Sequence, residues 1–273
     1  MKVPLVGCAS HRFNLAVQQH LNPEYTALLL KINSLMTKLK TLKLSGKLRK
    51  LTPLRPVCSN KTRWSSVFTM VKRYKEIACH IKDLGDTDLL DYYLSHREEI
   101  MLASLVQDLE KFQSVTLALQ REELSMKDMR LLFDGVCELF PRFNNHLAYD
   151  ATIVHSPDFE SAVTKLAGKK EENLTEREIC AVKGFVVESG AQNPVPQEFD
   201  FASSILKKPR VSPGYSSVRH ILPTSNLVER FFSQAAVALG DYRERLSPVN
   251  LESQLFLKFN RNYWNLNDVN KIA

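Results

Sequence analysis

The stretch PEYTALLLKINSLMTKLK, residues 23–40, decides the fold class, because its apolar side chains recur at helical spacing. Apolar residues three or four positions apart share one face of a helix. The residues that follow this pattern are Leu28, Leu29, Ile32, Leu35, Met36 and Leu39. Pro23 suits the first turn of a helix, where its missing N–H is not needed. The stretch therefore predicts an amphipathic helix with lysines beside its apolar face.

Helical spacing recurs along most of the chain, whereas strand patterns are rare. Further helices are predicted over residues 11–21, from Trp64 onward, and over 86–96, 98–121, 126–140, 158–168 and 175–188. Gly46 is expected to end the helix before it, and residues 51–64 to form a loop. The short apolar segment 3–9 predicts at most one short strand. The fold class is therefore mainly α.

Two segments rich in Pro, Gly or Ser predict linkers in the second half of the chain. They are SGAQNPVPQEF, residues 189–199, and KKPRVSPGYSSVRHILPTS, residues 207–225. The final part of the chain therefore forms a separate region.

Two helices are predicted in that final region. Asn226 and Glu229 have the spacing of a capping box, so a helix is expected to begin there and to run to Gly240. Ser247 followed by Pro248 predicts the start of the second helix. This helix carries an apolar strip made of Leu251, Leu255, Phe256, Phe259 and Tyr263, with Trp264 beside it. Such a strip is covered either by the chain's own core or by a second copy of the protein.

Composition indicates a globular chain in a reducing compartment. The 273 residues are 44% hydrophobic and 25% charged, which suits one large domain or two smaller ones. No apolar run is long enough for a membrane span, and the N-terminal apolar stretch is too short for a signal peptide. The five cysteines are odd in number, widely spread and without a C-x-x-C pair. We therefore expect free thiols, no membrane association and an intracellular location.

Positive charge is concentrated in one segment. From Tyr25 to Lys75 there are 13 Lys or Arg and no Asp or Glu, while the whole chain is only +7, so the rest sums to −6. Such a segment attracts polyanions through release of their counterions, so DNA is the expected partner. The alternatives are a solvated basic face or a nuclear-import signal. The candidate DNA-binding residues are Lys38, Lys40, Lys43, Lys47, Arg49, Lys50, Lys61, Arg63 and Trp64.

The C-terminal residues resemble the dimerisation region of the hAT (hobo, Activator) superfamily of DNA transposases. TSNLVERFFS, residues 224–233, is similar to a family element in which a serine-rich turn leads into a helix beginning Ser-x-x-Glu-Arg-x-Phe-Ser. The match places Glu229 at the position of the family's metal-binding glutamate. The family core Leu-Phe-Leu-Lys-x-Asn, followed by Trp, matches residues 255–260 and Trp264.

Two motifs nearer the N-terminus also resemble the family. Cys8 and His11 match its Cys-x-x-His motif. Arg63 and Trp64 match an Arg-Trp pair whose tryptophan, in the family, packs near the transposon end during hairpin formation. At helical spacing with other apolar residues, Trp64 is also explained as a core residue, and we favour that interpretation. Between Trp64 and about residue 200 the chain resembles only a generic helical insertion.

The resemblance implies an architecture for the chain, and the sequence differs from the family pattern in one respect. It implies a remnant of a ribonuclease-H-like core at residues 1–22, a helical insertion at 23–200 and the dimerisation region at 201–273. The family cuts DNA with two aspartates and a glutamate that hold divalent metal, and both aspartates precede the Cys-x-x-His motif. Only seven residues precede Cys8 here, and none is acidic. We therefore expect no catalysis and no cofactor, with Mg²⁺ needed only if the aspartates were restored.

These observations favour a catalytically incomplete, transposase-derived nuclear protein that forms a homodimer or larger oligomer and retains some non-specific DNA affinity. One alternative is a fragment of an active transposase whose BED-type zinc finger and aspartates are missing from this sequence. Another is a helical adaptor that binds only protein, which the basic segment disfavours. Nucleotide-binding, hydrolase and metalloprotease motifs do not occur.

The motif residues also have simpler structural explanations. Glu229 is explained by helix capping, since one carboxylate cannot hold the metal ions of a phosphoryl-transfer site. Cys8 and His11 lack the second ligand pair of a zinc site, so a packing and hydrogen-bonding role is expected for them instead.

Overall fold

The computed structural model describes residues 4–60, 63–187, 214–240 and 246–264. These residues are mainly helical, which confirms the predicted fold class, and they include a small two-stranded sheet. The chain forms two compact units, residues 1–223 and residues 224–273. The predicted linker 189–199 and the first part of the second linker, 207–213, lie outside the described residues.

The first unit is built from α-helices of very different lengths. In its described part they are α1 (Ala9–Leu21), α2 (Thr26–Leu39), α3 (Leu42–Leu48), α4 (Trp64–Asp83), α5 (His96–Leu119), α6 (Met126–Leu139), α7 (Asn144–Leu147), α8 (Pro157–Ala167) and α9 (Glu176–Ala181). Short 3-10 helices occupy Thr87–Tyr92, Pro141–Phe143, Glu171–Asn173 and Lys183–Phe185. Strands β1 (Val186–Val187) and β2 (Gly214–Tyr215) pair antiparallel, with Val186 opposite Tyr215.

Several local predictions differ from the structure. Residues 4–8 form no strand. Helix α3 continues through Gly46, because the buried leucines Leu44 and Leu48 anchor it and offset the roughly 1 kcal/mol cost of a helical glycine. The helix predicted over 86–96 is replaced by a 3-10 helix and a short extended stretch before α5. The helix predicted over 175–188 ends at Ala181.

Helix α1 packs against α4, α5 and α7, so its apolar face lies within the core of the first unit. An aromatic cluster fills this region around Phe112 of α5. The ring of Phe112 lies 4.9 Å from that of Phe140, 5.2 Å from Phe143 and 6.1 Å from Phe13. Aromatic pairs of this kind contribute about 0.5–1.5 kcal/mol beyond their buried area. The cluster therefore joins α1 and α5 to the segment after α6.

A buried ion pair also connects α1 to α7 and α8. The side chain of Arg12 is only 2% exposed, and its Nη1 lies 2.6 Å from Oε1 of Glu160. Its Nε donates to the carbonyl oxygen of His146 at 2.9 Å. Its Nη2 donates to the carbonyls of Leu147 and Ala148 at 3.2 and 3.0 Å. Arg12 therefore satisfies carbonyl groups at the end of α7 that the helix itself leaves unpaired.

The second unit contains helices α10 (Asn226–Leu239) and α11 (Pro248–Phe259). The predicted start of α11 is confirmed, since the Ser247 side chain accepts the N–H of Asn250 and Pro248 follows at the first helical position. The predicted capping box of α10 is wrong, because the N-cap is Ser225 and not Asn226. None of the described helices has the length and apolar composition needed to cross a membrane.

Candidate functional site

Acidic residues from outside the basic segment pair with several of its lysines. Nζ of Lys47 lies 2.8 Å from Oδ2 of Asp86, and Nζ of Lys43 lies 3.8 Å from the same atom. The hydrogen bond from Lys47 is the main cause that lowers the pKa of Asp86. Lys31 likewise lies 2.9 Å from Glu98, and its hydrogen bond lowers the pKa of Glu98 to about 2. Part of the charge in the basic segment is therefore balanced within the fold.

The other predicted DNA-binding lysines and arginines differ in exposure. Lys40, Arg49, Lys50 and Arg63 are exposed. Lys38 is half-buried, with its Nζ 5.5 Å from the centre of the Tyr92 ring. Lys61 lies outside the described residues. The exposed members are the ones that a polyanion can reach directly.

Trp64 is a core residue, as the sequence favoured. It is 4% exposed, and its ring packs edge-on against Phe112 at 6.3 Å. Its backbone N–H donates to Oδ1 of Asn14 at 3.4 Å. The indole faces are therefore not open to a stacked base in this conformation.

An open cavity of about 260 Å³ lies beside the Arg63-Trp64 pair. Its walls combine amide side chains with apolar ones, and they include Gln18, Leu21, Asn22, Leu29, Asn60 and Val67. The cavity thus brings Arg63 together with Leu29 of α2 and with Gln18 and Leu21 of α1, and the sequence did not single out the two residues of α1.

Cys8 and His11 begin helix α1. Cys8 is the half-buried N-cap residue, its carbonyl accepts the N–H of Arg12 at 3.1 Å, and His11 is exposed. No group of three or more His, Cys, Asp or Glu side chains that could hold a metal ion occurs in the described parts of the chain. The residue that the sequence missed here is Arg12. The signal was its position beside Ala9, Phe13 and Ala16 on the apolar face of α1.

Glu229 lies exposed in the first turn of α10. The hydroxyl of Ser225 donates to its Oε1 at 3.2 Å, which is a contact between a cap residue and the residue four positions later. The carboxylate is also favourably placed near the positive end of the helix dipole. Glu229 is therefore involved in the helix start, although not through the predicted capping box.

The apolar strip of α11 divides into an inner and an outer side. Leu255 is 4% exposed, and Phe259, although 38% exposed, places its ring 4.9 Å from that of Phe231 in α10. Phe256, in contrast, is 65% exposed and Tyr263 is 88% exposed. Leu251 and Trp264 are half-buried, and Trp264 Nε1 donates to the carbonyl of Leu257 at 2.8 Å. The predicted dimerisation residues are therefore not one surface.

Helix α10 also leaves large apolar side chains exposed. Together with those of α11 and the turn after it, they form a set that we call the outer apolar residues: Leu227, Val228, Phe232, Val237, Val249, Phe256 and Tyr263. Each of these side chains is more than half exposed. The described part of this small unit therefore exposes more large apolar side chains than is usual for a surface that stays in contact with water.

No model of a known protein family matches the chain, and comparison with curated proteins gives no match either. The resemblance to hAT transposases rests on the motif residues themselves, which are Cys8, His11, Arg63, Trp64, Glu229, residues 255–260 and Trp264.

Proposed function

We propose that this chain is a helical module derived from a hAT transposase, which self-associates through its second unit and binds DNA in the nucleus without cutting it. The observation that carries the proposal is the exposure of the outer apolar residues. Phe256 belongs to the segment that resembles the family's dimerisation region, and Phe232 to the element around the family glutamate.

Self-association accounts for this exposure because it removes the outer apolar residues from water. Burial of apolar surface contributes roughly 25 cal/mol per Å², so several aromatic side chains together give a substantial driving force. Charge does not oppose it. The described residues of the second unit carry few charges of mixed sign, which are Glu229, Arg230, Glu252, Lys258 and Arg261. Two copies can therefore approach without strong repulsion.

DNA binding is supported by the exposed cations of the basic segment. Lys40, Arg49 and Lys50 lie near the ends of α2 and α3, and no acidic side chain in the described residues pairs with them within 4 Å. Contacts of lysine and arginine with phosphates do not depend on base sequence. The expected binding is therefore non-specific and steeply dependent on salt.

We propose that the chain does not cut DNA because Glu229 is the one residue that matches a metal-binding residue of the family. A metal-dependent phosphoryl-transfer site uses several converging carboxylates to hold its cations. Glu229 supplies one carboxylate, which already accepts a hydrogen bond from Ser225.

Two measurements on the whole chain test the proposal. Sedimentation equilibrium is expected to give a dimer or a larger oligomer. Titration of a fluorescent duplex of random sequence is expected to give an affinity that falls steeply with salt, and that falls further when Lys40, Arg49 and Lys50 are changed to Glu. A monomer at every concentration would refute the self-association. An affinity that is independent of salt would refute the electrostatic DNA binding.

A further inference from the structure

We infer that a groove on α4 binds the phosphodiester backbone of nucleic acid, and that this groove contributes more to binding than the lysines of α3. The groove has a volume of about 380 Å³ and lies between the exposed face of α4 and Gln113 of α5. Along α4 it is lined by Ser65, Phe68, Thr69, Lys72, Arg73 and Glu76. The inference rests on the proposed DNA binding and assigns a site for it.

The polar groups of the groove are of the kinds that contact phosphates. Ser65, Thr69 and Lys72 follow one another at spacings of four and three residues, so they lie on one face of α4. Hydroxyl, amide and ammonium groups are all common donors to phosphate oxygens in protein–DNA interfaces. The hydroxyl of Thr69 already donates to the carbonyl of Ser65 at 3.0 Å, so Ser65, Lys72 and Gln113 are the donors that the groove offers. Lys72 is exposed, and among the described residues no carboxylate lies within 4 Å of its Nζ. Its charge is therefore available to an incoming anion.

Additional positive charge surrounds the groove. Nε of Arg73 pairs with Oε2 of Glu76 at 2.9 Å, and its Nη1 donates to the carbonyl of Arg55 at 2.6 Å. The second contact holds the exposed Arg55 beside α4. Lys75, also exposed, lies two residues beyond Arg73 and directly before Glu76. Two cations, Lys72 and Arg73, line the groove with the single carboxylate of Glu76, and Lys75 and the backbone of Arg55 lie next to this lining, so the net charge favours a polyanion.

The lysines of α3 are in a different electrostatic situation. Lys43 and Lys47 both lie within 4 Å of Asp86, a carboxylate that is almost fully buried. A phosphate that approaches either lysine competes with this carboxylate for the ammonium group and is repelled by its negative charge. The lysines of α3 therefore contribute less to counterion release than Lys72 and Lys75 do.

The test compares two double variants that remove the same number of charges from exposed helix positions. Lys72→Ala/Lys75→Ala removes the lysine that lines the groove and the exposed lysine beside Glu76, and Lys43→Ala/Lys47→Ala is the matched control. Alanine favours helix, but the control also leaves the carboxylate of Asp86 without its two lysines, so circular dichroism and thermal unfolding establish for each variant that it is folded before binding is compared. With a fluorescent duplex of about 20 base pairs, the groove variant should bind about ten-fold more weakly or worse at low salt. Its slope of log affinity against log salt should fall by about 2, since each lost phosphate contact removes about 0.9.

The control variant should lose less than about three-fold in affinity, and Glu76→Gln should tighten binding because it removes the one negative charge of the groove. The inference is overturned if the control loses more affinity than the groove variant, or if Glu76→Gln weakens binding. Failure of the wild-type chain to bind the duplex at low salt is a different result, because it would overturn the proposed DNA binding as well.

Discussion

Arg12 and Glu160 form a buried ion pair across 148 residues of sequence, with Nη1 and Oε1 2.6 Å apart. Each nitrogen of the guanidinium has an acceptor, since Nε and Nη2 also donate to three backbone carbonyls. The carboxylate of Glu160 is only partly satisfied, because its Oε2 has no hydrogen-bond partner among the described residues. A buried pair of this kind contributes little net stability compared with apolar side chains, but the loss of one partner is costly. Its role is to hold α7 and α8 in one arrangement on α1.

Changing Arg12 to Met is therefore expected to destabilise the first unit by about 3–5 kcal/mol, because Glu160 loses its ion-pair partner and the carbonyl of His146 loses its donor. Denaturant unfolding followed by circular dichroism measures the change. The double variant Arg12→Met/Glu160→Met should recover part of the loss, since it removes the unpaired charge. Lys82→Met, which breaks the exposed pair with Glu99, serves as the control and should change stability by less than about 1 kcal/mol. A loss of under 1 kcal/mol for Arg12→Met would contradict the role assigned to the pair.

His20 is expected to make the fold sensitive to mild acid. Burial, with a smaller contribution from Arg142, lowers the pKa of His20 below its ordinary value of 6.5 despite the opposing influence of Asp108 and Glu24. Its Nε2 is buried without a hydrogen-bond partner in the described structure. Because the folded state binds a proton less readily than the unfolded state, stability should fall as the pH drops below about 6.5. The contribution is fully present only above that pH.

The measurement is the free energy of unfolding of wild type and His20→Phe between about pH 7.5 and pH 5. The variant should lose part of this pH dependence. Some will remain, since burial and the nearby Arg12 also lower the pKa of His146. The exposed His155, changed to Gln, is the control. An unchanged pH dependence in His20→Phe would show that His20 does not titrate as proposed.

Local patterns in the sequence were sufficient to predict the positions of most helices. Ile32, Leu35 and Leu39 of α2 are all buried at the predicted spacing. Ser247 caps α11 as predicted, because a cap depends only on residues within one turn. At α10, Ser225 and Asn226 are adjacent residues of types that both favour the N-cap, and the N-cap is Ser225, one residue before the predicted one.

Interactions between distant residues were beyond the reach of those patterns. Nothing near Arg12 in sequence indicates Glu160 as its partner. Likewise, the sequence shows no acidic residue near Lys43 and Lys47, whereas in the structure Asp86 lies within 4 Å of both. In α11, Leu255 and Phe256 are adjacent apolar residues about 100° apart around the helix, and only the position of α10 decides which one is covered.

The proposed lack of DNA cutting predicts that the purified chain neither nicks nor joins a DNA with hAT-type terminal repeats, in Mg²⁺ or Mn²⁺. The physical reason is that the single carboxylate of Glu229 cannot hold the cations of such a reaction. Strand cleavage is measured on labelled DNA, with Glu229→Gln as the matched control. Cleavage that disappears in this variant would contradict the prediction, whereas cleavage that survives it would indicate a contaminating nuclease.

The division of the α11 strip makes the self-association proposal testable with two matched double variants. Phe256→Asp/Tyr263→Asp places charge on the outer apolar residues, which are exposed within one chain. Aromatic residues at the centre of an interface typically contribute about 2 kcal/mol or more, so the dimer dissociation constant should rise at least about 30-fold. Helix content should not change, because neither side chain is part of the chain's own core.

Leu255→Asp/Phe259→Asp introduces the same two charges on the inner side of the strip. Leu255 is buried and Phe259 packs on Phe231, so this variant removes apolar burial within the second unit and should unfold it. Sedimentation and circular dichroism on both variants distinguish the two effects. Loss of mass without loss of helix in the outer variant, together with loss of helix in the inner variant, supports self-association through the exposed side. A monomeric wild type, or an outer variant that keeps its mass, would show that the outer apolar residues do not join two copies.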